Sequence, residues 1–371
     1  MPRRILMIAL AILAASLVLE AQSLPTQLSS EGFRKLIADL SEPGGSFQYE
    51  NFVSNEDDYA KVLPGLKKTV KAGGIYIGVG PEQNFTYITT FRPAMAFVID
   101  IRRQNMLEHL FYKALFETSS DRSDFVSRLF ARTRPPGLDA KTNVTTLFKA
   151  FEAAKPDQKL FDTTLAAALE RLDRVHGFQL SDEDKAAIRK VYTAFFQGGP
   201  QMDYRFNSYT APTASATYTQ LMSASDADGG MWSYLVSEEN FRLIQDYQRK
   251  NLIVPLVGDF GGPKTIRAIG QYAKDHKATV NAFYTSNVDE YLFRDTAKDR
   301  FFASVATLPM DPSSAIIRFV GGPGGLSPLD TIKIAPGMRW ASLACSMPQL
   351  VEAYTAGKLS SRVEANRLCR Q

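Results

Sequence analysis

The sequence predicts a doubly wound α/β domain with a mostly parallel sheet and a large helical insertion. Two short apolar runs, "IYIGVG" and "MAFVID", flank a helical stretch that Pro81 opens, and this order at this spacing makes a βαβ unit with parallel strands. Strand patterns return near the other end of the chain in "LIVPLVGDF", "TVNAFYTSNV" and "AIIRFV". Buried strands on both sides of a helical block predict one sheet that carries an insertion.

The chain divides into several predicted parts. Most stretches of the central block have apolar residues three or four positions apart, with Ser or Asn caps and Gly or Asn stops, which is typical of helices. We expect a signal peptide over residues 1–21, an N-terminal helical segment over 22–72, the α/β domain over 73–104 and 251–345, the helical insertion over 105–250 with an aromatic and polar loop at about 201–232, and a C-terminal helical tail over 346–371.

The N-terminus has the layout of a secretory signal peptide. Arg3 and Arg4 precede an uncharged apolar run over residues 5–19, and Ala21 provides a plausible cleavage position. As a helix this run would span roughly 23 Å, which is less than the ~30 Å hydrocarbon core of a bilayer. We therefore expect an exported bacterial protein, periplasmic or secreted, with no stable membrane span after cleavage.

Charge and motif content limit the possible functions. The net charge of +4 gives no electrostatic case for nucleic acid, because Lys and Arg are interleaved with nearly as many Asp and Glu. None of the three histidines, His109, His176 and His276, has the spacing of a metal-ligand pair, so we expect no metal. The sequence has no G-x-S-x-G, H-E-x-x-H or P-loop pattern. A small molecule is the expected partner, and the oligomeric state is not indicated.

The two cysteines, Cys345 and Cys369, both lie near the C-terminus. In an oxidising compartment a disulfide between them would close a loop of about 25 residues and contribute roughly 3 kcal/mol. The alternative is two unrelated thiols. With an export signal we favour the disulfide as the prediction.

The stretch "GVGPEQN" that follows the first predicted strand is the strongest candidate for a ligand loop. Ligands of open α/β sheets bind where strands end and helices begin, and Gly78 and Gly80 would let the backbone approach one. Asp100 ends the next predicted strand, where a carboxylate reaches ribose hydroxyls. Glu82 stands where a pyrophosphate would sit, so the loop favours a ligand without phosphate over NAD or FAD.

The stretches "YIGVGPEQNFTYI", "FVIDIRRQNMLEHLFYKALFE" and "VPLVGDFGGPKTIRAIG" resemble an uncharacterised exported bacterial family with the Rossmann-like fold of class I S-adenosylmethionine-dependent methyltransferases. The resemblance covers roughly residues 73–320 and implies S-adenosylmethionine as the cofactor, with an unknown methyl acceptor. The sequence departs from the methyltransferase pattern at Tyr76, where an acid is usual, and at Glu82, where a glycine is usual. The residues that it implies for cofactor binding are Gly78, Gly80, Glu82, Asn84 and Asp100, and Asp259 is the candidate catalytic residue.

Three further residues are candidates for the substrate cleft: Trp232, Tyr284 and Asn287. The alternative is that the two aromatic residues belong to the core, as buried aromatic residues more often do. The nearby stretch "SDADGG" resembles the start of a calcium loop, but its twelfth position, counted from Asp226, is Ser237 rather than Glu, so we predict a polar turn.

Each site residue also has a structural interpretation that the sequence leaves open. The glycine loop could be only a tight turn, with Asp100 paired to Arg102 or Arg103, and Asp259 could cap the helix ahead of Pro263. Two functions follow from these alternatives. One is an S-adenosylmethionine-binding methyltransferase-like protein, and the other is a non-catalytic exported binding or structural protein on the same fold.

Overall fold

The computed structural model of the chain describes residues 23–206, 215–294, 297–321 and 340–370. The predicted signal peptide and part of the predicted loop at about 201–232 lie outside the described residues. In the described part of the chain, no helix has both the length and the apolar character needed to cross a bilayer.

The described residues form one seven-stranded sheet and fifteen helices, which confirms a mixed α/β fold. The strands are β1 (Ile75–Val79), β2 (Met95–Asp100), β3 (Ile253–Val257), β4 (Val280–Ser286), β5 (Ala315–Gly321), β6 (Trp340–Ser346) and β7 (Cys369–Arg370). The helices are α1 (Ser30–Leu40), α2 (Leu63–Thr69), α3 (Gln83–Phe91), α4 (Arg103–Thr118), α5 (Arg122–Phe130), α6 (Val144–Ala153), α7 (Gln158–Glu170), α8 (Asp182–Gly198), α9 (Tyr218–Met222), α10 (Glu238–Arg249), α11 (Thr265–Asp275), α12 (Val288–Arg294), α13 (Lys298–Val305), α14 (Met347–Thr355) and α15 (Arg362–Arg367).

The strand order is β3-β2-β1-β4-β5-β6-β7, and the first five of these strands are parallel to one another. Strands β1 to β3 are buried along their whole length, as their continuous apolar runs predict. The chain builds outward from β1 in one direction with β2 and β3, and in the other direction with β4 and β5. The order therefore reverses between β1 and β4, and in open α/β sheets such a reversal leaves a crevice at the carboxyl ends of the strands.

The C-terminal edge of the sheet differs from the prediction. Two strands were not predicted: β6 pairs antiparallel with β5, and β7 pairs antiparallel with β6. The predicted helical tail does contain α14 and α15, but it ends in β7. Cys345 on β6 and Cys369 on β7 are paired in the sheet and form the predicted disulfide. This bond fastens a two-residue strand that backbone pairing alone would hold weakly.

The N-terminal segment is less helical than predicted. Residues 41–58, which we call the strap, contain no regular helix or strand, and α2 begins only after a short 3₁₀ turn at Tyr59–Val62. Tertiary hydrogen bonds hold the strap extended: Glu42 N donates to Val257 O (3.0 Å), Gly45 N to Ile101 O (2.8 Å), and Ser54 N to the Glu82 carboxylate (3.1 Å). The strap therefore crosses the carboxyl ends of β3, β2 and β1.

The helical insertion is organised around α4, which is buried along most of its length and contacts β2, β3, α5, α7, α8 and α10. Its Lys113 and Glu117 form a buried ion pair at 2.7 Å, and Glu117 also accepts from Arg171 and from His176 Nε2 (2.8 Å). Three cationic or hydrogen-bonding partners satisfy this buried carboxylate, so the pair fixes α4 against the turn that follows α7. The insertion is thus packed onto the sheet rather than appended to it.

Candidate functional site

A cleft of about 360 Å³ lies at the carboxyl ends of β1 to β4, where the strand order reverses, and the strap forms its roof. This is the position at which doubly wound sheets bind ligands. Residues at the carboxyl ends of the strands and directly after them line the floor: Val79, Gly80, Pro81, Asp100, Ile101, Arg102, Gly258, Asp259, Phe260, Tyr284, Ser286 and Asn287. Residues of the strap line the roof: Ser46, Phe47, Asn51, Val53, Ser54 and Asn55. We call this the strand-end cleft.

The strand-end cleft brings together five of the predicted site residues. They are Gly80, Asp100, Asp259, Tyr284 and Asn287, from four different strand ends. Gly78, Glu82 and Asn84 are not among the lining residues, although they belong to the same loop and to the start of α3. Trp232 lies elsewhere, on a second cavity.

The loop after β1 is held by its own side chains. Asn84 Nδ2 donates to the carbonyls of Val79 (3.0 Å), Gly80 (3.0 Å) and Pro81 (2.7 Å), and Asn84 Oδ1 accepts from Tyr76 (2.9 Å). A Cβ atom at Gly78 would come within 1.8 Å of Asn84 Oδ1, so this glycine makes room for the amide. Gly78 and Asn84 are therefore buried against each other and do not line the strand-end cleft.

Gly80 has the conformation that a glycine turn requires. Its φ is +74°, and a Cβ atom there would meet nothing within 4 Å. His109 Nε2 lies 2.9 Å from the Gly80 carbonyl, and burial lowers the pKa of His109 to about 4. The imidazole is therefore neutral at pH 7 and donates to that carbonyl. Helix α3 begins at Gln83 rather than at Pro81, because Pro81 and Glu82 complete this turn.

Asp100 is held by Arg102, as the structural interpretation predicted, and it also lines the strand-end cleft. Asp100 Oδ1 accepts from the Arg102 backbone N (2.9 Å) and Nε (3.0 Å), and Oδ2 accepts from Nη2 (2.9 Å). Both side chains are less than a tenth exposed. Arg102 also donates to the carbonyls of Glu50 and, at 3.5 Å, Tyr49, and so fastens the strap. The other predicted partner, Arg103, pairs with Asp184 instead (2.8 Å).

Three buried glutamates, Glu56, Glu82 and Glu108, lie behind the cleft, and of these only Glu82 was a predicted site residue. Burial raises the pKa of Glu82 to about 7 and that of Glu56 to about 7, and it raises the pKa of Glu108 well above its usual range, with the nearby Glu82 adding to the shift. Glu56 Oε1 accepts from the hydroxyl of the cleft residue Tyr284 (2.7 Å). Glu82 Oε2 and both carboxyl oxygens of Glu108 have no partner among the described residues. Three acidic side chains with raised pKa values therefore lie beneath the cleft.

Asp259 closes a turn rather than capping a helix. Its Oδ1 accepts from Gly261 N (2.8 Å), and its own N–H lies 3.2 Å from a carboxyl oxygen of Glu42. The N-cap of α11 is Lys264, so the predicted cap at Asp259 is wrong. The Asp259 side chain is exposed and lines the strand-end cleft.

Aromatic rings from three separated segments cluster at the strand-end cleft, which Phe47, Tyr204 and Tyr291 line. Phe47 lies 5.3 Å from Tyr291 and 5.6 Å from Tyr49, and Tyr49 lies 5.7 Å from Tyr204, all measured between ring centroids. Offset and edge contacts at these distances are favourable. We call these four residues the aromatic collar. Phe47 and Tyr49 lie on the strap, whereas Tyr204 and Tyr291 lie more than 150 positions further along the chain, so only the folded chain brings the four rings together.

In the part of the chain that the structure describes, no three His, Cys, Asp or Glu side chains are grouped so that they could hold a metal ion. The model of one protein family, a domain of unknown function (DUF7790), matches residues 51–331. No curated protein is similar enough to the chain to count as a match. The family match covers well over half of the chain and includes β1 to β5 together with most of the strand-end cleft. The chain therefore belongs to the family defined by the domain DUF7790.

Proposed function

We propose that the protein binds a small nucleoside-like ligand in the strand-end cleft, and that S-adenosylmethionine, as donor of a methyl group, is the first candidate. The observation that carries the proposal is the position of the cleft, at the carboxyl ends of β1 to β4 where the strand order reverses. Its volume of about 360 Å³ lies within the range of small-molecule sites. The proposal includes the view that the α/β fold is of the methyltransferase-like type.

The charges around the cleft favour a ligand without phosphate. Two arginines of the described residues line it, and both already have partners: Arg102 is paired with Asp100, and Arg300 Nε donates to Gly261 O (2.8 Å). Glu56 and Glu82 lie behind the floor. S-adenosylmethionine carries a sulfonium and an ammonium group and no phosphate, so it suits a site with acids behind its floor. Because Arg102 is already paired, a dinucleotide would find only Arg300, whose partner is a neutral carbonyl, among the described cations that line the cleft.

The hydrogen-bonding capacity at Asp100 limits how a ribose could be held. A carboxylate offers about four lone-pair positions, and Arg102 occupies three of them. Asp100 can therefore accept one ribose hydroxyl rather than two. Asn51 on the strap also lines the cleft, and its Oδ1 accepts no hydrogen bond from any described residue. We infer that Asn51 is the second acceptor and that the aromatic collar contacts the base.

The second candidate function is a non-catalytic exported binding or structural protein. The disulfide favours it, because disulfides persist in oxidising compartments, where S-adenosylmethionine, a cytosolic metabolite, would be scarce. Asp259 also supports this alternative, since one of its carboxyl oxygens already accepts a hydrogen bond from the Gly261 backbone as part of a turn. Both candidates use the same cleft and differ in whether transfer follows binding.

Calorimetric titration with S-adenosylhomocysteine and S-adenosylmethionine tests the proposal. We expect saturable binding to the purified protein. Asn55 lines the strand-end cleft, so Asn55→Trp should fill it and weaken binding at least about tenfold, which is about 1.4 kcal/mol. Met231→Trp, the same bulky replacement on the second cavity, is the matched control and should leave the affinity unchanged. Absence of binding to the wild-type protein, or equal affinity in both variants, would contradict the proposal.

A further inference from the structure

A second cavity of about 470 Å³ lies at the opposite edge of the sheet from the strand-end cleft. Its residues come from the connection that leads into β1 and from the end of α3, which leads into β2. They include Lys67, Ala72, Thr90 and Arg92. A third segment, with Met231 and Trp232, closes the other side. The cavity is therefore built from three separate stretches of chain.

Trp232 is held in a fixed orientation in the wall of this cavity. Its Nε1 donates to Asp226 Oδ2 (2.7 Å), and Asp226 Oδ1 accepts from the backbone N–H groups of Asp228 (2.9 Å) and Gly230 (2.8 Å). This is the "SDADGG" stretch, which forms the predicted polar turn. Besides reversing the chain, this turn holds the indole ring of Trp232 in the wall of the cavity.

Two cations converge on the same cavity. Lys67 Nζ lies 5.3 Å from the centroid of the Trp232 ring. Arg92 pairs with Glu239 at 3.1 Å, but the two side chains are 57% and 79% exposed, so this ion pair is worth little and yields readily to a competing anion. Met231 at the rim is 41% exposed, which is unusual for a large apolar side chain among the described residues.

We propose that this second cavity binds a small aromatic carboxylate, with its ring against Trp232 and Met231 and its carboxylate between Lys67 and Arg92. The indole and the thioether supply apolar contact with an aromatic ring. A carboxylate would supply a counter-charge to Lys67, which otherwise contacts the neutral Trp232 ring, and would compete with the exposed Glu239 for Arg92. The inference does not depend on the strand-end cleft or on its ligand.

Tryptophan fluorescence gives a direct test, because the chain has only two tryptophans. The variant Trp340→Phe leaves Trp232 as the sole reporter. We expect a saturable change of its emission on titration with phenylacetate, and a response at least about tenfold weaker to the isosteric but neutral phenylacetamide, which corresponds to about 1.4 kcal/mol. In this background, Lys67→Met and Arg92→Met should each weaken the phenylacetate response several-fold.

Lys68→Met is the matched control, since Lys68 is an exposed neighbour on α2 that does not line the cavity. It should leave the phenylacetate titration unchanged. Lys67→Met, Arg92→Met and Lys68→Met all replace exposed side chains, and an unchanged thermal unfolding midpoint relative to the Trp340→Phe background shows that each keeps the fold. A linear, non-saturable quench, equal responses to acid and amide, or equal responses in Lys67→Met and Lys68→Met would overturn the proposal.

Discussion

Asp100→Ala is expected to lower the free energy of unfolding by about 3 to 5 kcal/mol, because it leaves the buried Arg102 guanidinium without its counter-charge. The pair has two charge-assisted side-chain hydrogen bonds of 2.9 and 3.0 Å, and neither side chain is more than 8% exposed. Arg102 also holds the strap through the carbonyls of Tyr49 and Glu50. Denaturant unfolding of the wild type and the variant measures the loss.

Asp259→Ala is the matched control, because it removes a carboxylate from the same cleft without leaving a buried cation unpaired. Asp259 is exposed, so we expect its replacement to lower the free energy of unfolding by no more than about 1 kcal/mol, mostly through the lost hydrogen bond from Gly261. A stable Asp100→Ala protein, with a loss no larger than that of Asp259→Ala, would show that the Asp100–Arg102 pair does not hold the strap.

The second large effect is a pH-dependent gain of stability in Glu82→Gln. Burial raises the pKa of Glu82 in the folded protein from 4.5 to about 7, so the folded state keeps a proton that the unfolded chain releases. The protonated carboxyl therefore contributes stability that is full below about pH 4.5 and is lost as the pH rises through about 7. The shift corresponds to about 3 kcal/mol. Relative to wild type, Glu82→Gln should become more stable by about this amount between pH 5 and pH 8.

The comparison between the two proteins is needed because other groups titrate in the same window. Burial lowers the pKa of His109 in the folded protein to about 4, so this group makes the folded protein less stable as the pH falls. Its effect opposes that of Glu82 but is present equally in the wild type and in Glu82→Gln. Unfolding curves at several pH values measure the difference. The same substitution at Glu352, which is exposed on α14, should give a curve parallel to wild type. A parallel curve for Glu82→Gln as well would contradict the buried-acid interpretation.

The parallel sheet was predictable because each of its strands corresponds to a short apolar run of consecutive residues. The runs that became β1 and β2 are apolar throughout and are bounded by glycine, proline or charged residues, so burial on both faces can be read directly from them. Strand β6 mixes large apolar, small and polar residues without a regular pattern, and it pairs antiparallel with β5. That composition carries no such signal, and its pairing with β7 depends on contacts that only the fold creates.

The strand-end cleft was predictable in place but not in detail. Two glycines and an acid at strand ends located it, yet Gly78 accommodates Asn84 rather than a ligand. Glu56 lies in the acidic stretch "SNEDDY", a composition typical of an exposed surface. In the structure it is buried, and its carboxylate accepts a hydrogen bond from Tyr284, which is 228 positions away in the sequence. Long-range contacts of this kind decide which acids are buried, and a single sequence does not encode them as a local pattern.

The most direct test of the central claim is a crystal structure of the protein grown with S-adenosylhomocysteine. We predict electron density for the nucleoside in the strand-end cleft, with a ribose hydroxyl at Asp100, a second polar contact at Asn51 Oδ1 and the base against the aromatic collar. A strand-end cleft that stays empty at a saturating concentration of the nucleoside, or a nucleoside bound elsewhere on the molecule, would contradict the account.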